Sequence, residues 1–144
     1  MTIVTNIERP KQKYVDPWPV CSFFAIYDGH GGHKCGNFLK ENLDTIIINQ
    51  ACFPSDPEKA LILGCAEAER RFLSYAEKCN DTSGSCAIIV LTVDEECYVA
   101  NVGDSRAILS TDHGKDWLPL SRDHCPSKDY EVKRITANGG QIYP

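Results

Sequence analysis

No apolar run in this 144-residue chain approaches the roughly 18 residues that a helical membrane span needs. The first residues also lack the apolar stretch of a secretory signal. An intracellular protein, cytoplasmic or nuclear and with no membrane partner, is the expectation. No Lys/Arg cluster offsets the net charge of −5, so the basic footprint of a general nucleic-acid binder is missing. Arg9, Lys11 and Lys13 are a small local exception and read as a solvated loop. None of the eight cysteines stands in a C-x-x-C pair, which argues against a zinc module. Without a secretory signal a disulfide framework is not expected either. Cys35 and Cys65 pattern as core on helices and Cys86 and Cys97 as core on strands, where a reduced thiol behaves as a small hydrophobe. No internal repeat and no low-complexity tract interrupts the chain. Its length fits one domain with a real core.

What is there is organised around residues 22–32. Ser22-Phe23-Phe24-Ala25-Ile26-Tyr27 reads as a strand, with Phe23, Ala25 and Tyr27 on one face and Phe24 and Ile26 on the other. Apolar residues on both faces predict a strand covered on both sides. The strand delivers Asp28, Gly29 and His30 at its end, and Gly31-Gly32 free the chain to turn. Asp28 is a hard oxygen donor suited to Mg²⁺ or Mn²⁺. Gly29 allows a close approach of its carbonyl, and His30 can carry a proton near neutral pH. An Asp-Gly turn followed by a surface histidine is the plainer alternative.

Before this stretch, Thr2-Ile3-Val4-Thr5 suggests a short strand, and Pro10, Pro17 and Pro19 mark a loop that Trp18 would anchor. After it, apolar spacing predicts a helix from His33 to about Asn49. Its N-terminus, near Asp28 and His30, would favour an anion such as phosphate. A second helix should begin near residues 53–58, capped by Ser55 with Glu58 or by Asp56 before Pro57, and run to about Cys79. Its stripe is Leu61, Cys65, Ala68, Phe72, Tyr75 and Cys79, and antiparallel packing on the first helix is expected.

Residues 86–93 and 97–102 read as a hairpin. The hairpin ends in Gly103-Asp104-Ser105-Arg106, and Ala107-Ile108-Leu109 continue apolar, with a bulge and an Asp104–Arg106 ion pair as the structural reading of those charges. Residues 117–120 suggest an edge strand because of Pro119. A helix near 129–138 should stop at Gly139-Gly140, and residues 141–144 begin what reads as another strand.

Three stretches together carry a resemblance: residues 22–32; Gly84-Ser85 with Val99-Ala100-Asn101-Val102-Gly103-Asp104-Ser105-Arg106; and Asp123, His124, Pro126, Glu131, Arg134, Ile135, Gly139 and Gly140. The chain resembles the metal-dependent serine/threonine protein phosphatases of type 2C over about residues 20 to 142. The resemblance implies an α+β fold, a layered α-β-β-α sandwich of antiparallel sheets flanked by antiparallel helix pairs, here incomplete. Residues 1–144 would form a single partial phosphatase domain. Residues 1–20 would be an N-terminal strand and loop and 21–144 the core portion, with the C-terminal part of the domain absent.

The resemblance also implies hydrolysis of phosphoserine or phosphothreonine in a phosphoprotein substrate by a metal-activated water. Two Mg²⁺ or Mn²⁺ ions would be involved, with a possible third. Asp28 and the Gly29 carbonyl are the implied metal ligands, Asp104 the ligand of an additional ion, and His30 the general acid. Asp123 and His124 resemble an acid–base pair, but a supporting role is the expectation.

The sequence departs from the family in places. No Glu-Asp pair precedes the strand, and Glu8-Arg9 does not match the pattern that would replace it. The family's later aspartates have no counterpart here. A fragment of an active phosphatase is the favoured explanation. A natural short form that binds without hydrolysing, and a half completed by a missing C-terminal segment or a second chain, stand beside it. The alternative of a different class is a catalytically inactive interaction module. A zinc module on His30, His33 and Cys35 is the weakest reading. Unpaired strands and faces predict self-association.

Overall fold

The structure is a computed structural model, and it describes residues 1–143. Nine regular elements follow one another: β1 (Thr2–Val4), β2 (Cys21–His30), α1 (Lys34–Ile48), α2 (Pro57–Cys79), β3 (Gly84–Val93), β4 (Glu96–Val102), β5 (Ile108–Thr111), β6 (Asp116–Pro119) and α3 (Asp129–Ala137). The first four strands form one antiparallel sheet in the order β1-β2-β3-β4, while β5 and β6 form a separate two-stranded sheet. This is the expected α+β class with antiparallel sheets. The helix pair α1–α2 covers one face of the larger sheet.

The core lies between that sheet and that helix pair. Phe23, Ala25, Ile89, Leu91 and Val93 come from the strands, and Leu43, Ile46, Ile47, Ala60, Leu61 and Ala68 from the helices. The two helices run antiparallel, since Lys34 at the start of α1 reaches Asp81 just past the end of α2, at 3.0 Å. They approach closely where α2 has no side chain. A Cβ at Gly64 would stand 2.4 Å from Cγ1 of Ile47. Asp56, the second of the two expected caps, starts α2, and its carboxylate accepts from the Lys59 amide at 3.0 Å. The buried stripe of α2 includes Gly64, Ala68, Phe72 and Ala76, whereas Tyr75 and Cys79 are exposed. Small residues at the close approach, and not only the large apolar ones, determine that stripe.

The N-terminal segment is fastened down. Trp18 donates its indole N–H to the Ile7 carbonyl at 2.9 Å, and its ring meets Phe53 edge-on at 5.8 Å. Lys13 is not part of a solvated loop: its ammonium donates to the carbonyls of Gln50 and Phe53, the latter at 2.6 Å. Desolvation by burial lowers its pKa.

Other expectations are corrected. β2 is covered on one face only, because a helix layer lies on that side and Phe24 and Ile26 are 37% and 55% exposed on the other. β4 does end at Val102 as expected, where Gly103 takes a φ of +105° and the chain turns away. Cys97 is exposed on the edge strand β4, so it is not core. All eight cysteines are free. Residues 141–143 form no strand, and Pro144 lies outside the described residues. No helix among the described residues is long and apolar enough to cross a membrane.

Candidate active site

The end of β2 and the start of β3 are paired residue for residue: Asp28 with Cys86, Gly29 with Ser85 and His30 with Gly84. Alternation along a strand puts Asp28 and His30 on one face, and cross-strand partners share that face. For Asp28 it is the open face of the sheet, beyond Ile26, and His30, the last residue of β2, also borders a cavity behind α1. A Cβ at Gly84 would stand 2.4 Å from Nε2 of His30, so the glycine leaves room for the imidazole to lie across β3. Asp28, Gly29 and His30 are all exposed.

Asp104 reaches the same place from β4. A Cβ at Gly103 would fall 2.3 Å from Sγ of Cys86, so the thiol occupies the space that glycine leaves. The Cys86 thiol donates to Oδ1 of Asp104 at 3.2 Å. Cys86 thus stands between the two carboxylates predicted as metal ligands. Its burial pushes the thiol pKa up. The Asp104 and Asp28 charges add to that rise, and the Asp104 backbone opposes it.

The backbone beside Asp104 is clamped from the far end of the chain. The His124 amide donates to the Gly103 carbonyl at 2.8 Å, and Nδ1 of His124 accepts from the Gly103 amide at 3.3 Å. Nδ2 of Asn101 donates to the carbonyls of Gly103 and Arg122, each at 2.9 Å. The expected Asp104–Arg106 pair does not form. Arg106 makes a two-pronged bond to Asp123 at 2.9 and 2.7 Å, because the turn at Gly103 sends the two side chains different ways. These bonds hold the Asp123 carboxyl below its ordinary range and raise the Arg106 guanidinium. Asp123 therefore serves Arg106 and His124 serves Gly103, which is a supporting arrangement. Glu131, 3% exposed, is paired with Arg134.

At the start of α1, one first-turn amide is bonded within the protein. Ser83 Oγ accepts from the Cys35 amide at 3.1 Å, and Asp81 accepts from the Ser83 amide and hydroxyl and from Lys34. Hydrogen bonds from the Ser83 side chain and backbone, and then from Lys34, lower the Asp81 pKa to about 2. The cavity behind the start of α1 measures about 430 Å³ and is lined in part by His30, Cys35, Leu39, Phe72, Ser83 and Ala87.

Among the described residues, no three His, Cys, Asp or Glu side chains stand together as ligands of one ion. The donors present are the Asp28 and Asp104 carboxylates and the Gly29 carbonyl, all hard oxygens. Mg²⁺ is commonly held by one or two carboxylates with water completing its shell, so their chemistry fits such an ion. Zinc on His30, His33 and Cys35 does not fit. Cys35 is buried against Phe72 and Ala76, while both histidines are exposed. Arg9 donates to the Val15 carbonyl at 3.1 Å and so braces its own loop. Sequence reasoning missed Cys86 as part of this site. Its signal was its place just after Gly84-Ser85 in a strand paired with β2.

The family model described as Protein phosphatase 2C matches residues 9–144. A protein of Caenorhabditis elegans named "Probable protein phosphatase 2C" is 38% identical over 125 residues, which are 86% of this chain and 35% of that protein. "Protein phosphatase 2C homolog 2" of Hypocrea jecorina is 39% identical over 122 residues, covering 84% of this chain and 27% of the relative. The chain thus spans about a third of the length of these curated relatives. The crystal structure of a serine-threonine phosphatase 2C from Toxoplasma gondii superposes with a TM-score of 0.71 at 21% identity, over 95% of this chain and 54% of that one. That likeness shows the fold.

Proposed function

The chain belongs to the protein phosphatase 2C family, and from that premise we propose that it is part of a metal-dependent phosphatase acting on phosphoserine and phosphothreonine in proteins. Residues 1–144 belong to one phosphatase domain, with 1–20 as its N-terminal strand and loop and 21–144 as core. The observation that carries the reading is the meeting of Asp28, Gly29 and His30 at the end of β2 with Asp104 across Cys86.

In this reading the Asp28 carboxylate and the Gly29 carbonyl hold Mg²⁺ or Mn²⁺, and Asp104 holds a further ion. Such ions supply a nucleophilic water and stabilise charge on the transferring phosphoryl group. His30, exposed on the same face as Asp28, delivers a proton to the departing serine or threonine oxygen. Gly84 keeps the space in which that imidazole lies. The cysteines need form no covalent intermediate.

The test is Mn²⁺-dependent phosphate release from a phosphothreonine peptide, run beside Asp28→Ala. Release that requires Mn²⁺ and is lost in the variant supports the reading. Release that is unchanged in Asp28→Ala overturns it. A second reading, a binding module that does not hydrolyse, is favoured by the absence of a three-ligand cluster among the described residues. It predicts phosphopeptide binding with no release.

A further inference from the structure

We propose that Cys86 is a positioning residue for Asp104: its thiol orients the carboxylate toward Asp28 and thereby sets the affinity of the site for a divalent ion. The inference rests on the proposed metal site, and three observations carry it.

The first is contact. Among the described residues, Cys86 is the one side chain that donates to the Asp104 carboxylate, at 3.2 Å. Asn101 and His124 hold the neighbouring backbone at Gly103 and leave the carboxylate itself free to turn. The second is register. Cys86 is the cross-strand partner of Asp28, so a group that faces Asp104 also faces Asp28. The third is clearance. The missing side chain at Gly103 is what admits the thiol, with Sγ 2.3 Å from where a Cβ would be. A thiol is a weak donor, and a charged acceptor strengthens the bond it makes. An exposed aspartate without one would sample several rotamers and lose affinity for an ion in ordering them.

A thiol in this place has a consequence that a hydroxyl would not. Cys86 is half-buried, so a small maleimide is the probe for it. Addition of its sulfur to a maleimide double bond, with the thiol proton passing to the adjacent carbon, removes the donor to Asp104 and fills the space beside Gly103. The further ion that Asp104 would hold lies beside the donor sulfur and would slow that addition.

The experiment is a Mn²⁺ titration of the 144-residue chain. It is followed by paramagnetic broadening of the Gly29 and Ser105 amide signals in wild type, Cys86→Ala, Cys86→Ser and Asp28→Ala. The expected result is an apparent affinity about fivefold weaker in Cys86→Ala and within roughly twofold of wild type in Cys86→Ser, which keeps a donor. N-ethylmaleimide labelling of wild-type Cys86, read by mass spectrometry, should slow at saturating Mn²⁺. Equal affinity in wild type and Cys86→Ala, with loss in Asp28→Ala, overturns the role of Cys86 and leaves the metal site standing. Equal weakening in Cys86→Ala and Cys86→Ser reduces Cys86 to a packing residue and overturns the positioning role. Broadening that is the same in wild type and Asp28→Ala overturns the metal site itself.

Discussion

The two faces of β2 are alike in composition and opposite in environment. On the helix side, Cys21 and Phe23 are wholly buried and Ala25 nearly so. One residue along, Phe24 and Ile26 look outward, and the same face carries Asp28 and His30. Apolar character therefore decides where a residue can be buried, while the presence of an opposing layer decides whether it is. The helix face supplies the stability. The open face carries the candidate site, and its residues are free to be chosen for donor type and not for packing.

The largest effect should separate these faces directly. Phe23→Ala, which empties a fully buried site, is expected to cost about 3–5 kcal/mol of unfolding free energy. Phe24→Ala, its neighbour on the open face, should cost roughly 1 kcal/mol or less. Urea unfolding of both variants checks this, and equal losses would break the comparison. Next in size, Gly64→Ala drives a Cβ into Ile47 and should cost about 1–3 kcal/mol by overpacking the helix pair. Thermal unfolding reads it. Asp56→Ala removes the cap of α2 and should cost about 1 kcal/mol, measurable by helical circular dichroism on heating.

The smallest effect is one of pH. Asp81 has its folded pKa lowered to about 2, so its contribution is complete above the ordinary carboxylate pKa near ~4 and is lost as pH falls through the folded value. Acid unfolding followed between those limits should show a shallower loss in Asp81→Asn than in wild type. An unchanged profile would mean that Ser83 alone secures the start of α1.

Much of this was legible in the chain. α1 and α2 emerge within a residue or two of their expected ends, because apolar spacing and the Asp56-Pro57 start are local signals. The β3–β4 hairpin is legible for the same reason, with Asp94-Glu95 as a turn between two β-prone runs. Coverage of β2 was not, since the pattern of a strand does not reveal how many layers lie against it. The partners of Arg106 and Gly103 were not, since Asp123 and His124 lie 17 and 21 residues away and only the fold brings them close. The role of Cys86 was obscured by its strand. A cysteine in an apolar run reads as filler until the register puts it opposite Asp28.

The clamp between Gly103 and His124 has a kinetic side. Asp28 rides on β2, which pairs along its whole length with the buried strand β3. Asp104 rides on a turn secured by the segment from Leu120 to His124, and the β5–β6 hairpin between them buries no residue. Segments with few buried contacts open far more often than the core does. In amide hydrogen exchange, Gly103 should therefore lose its protection with the 120–124 segment, long before Ala25 or Ile89. Such a result would mean that the turn carrying Asp104 opens apart from the sheet carrying Asp28.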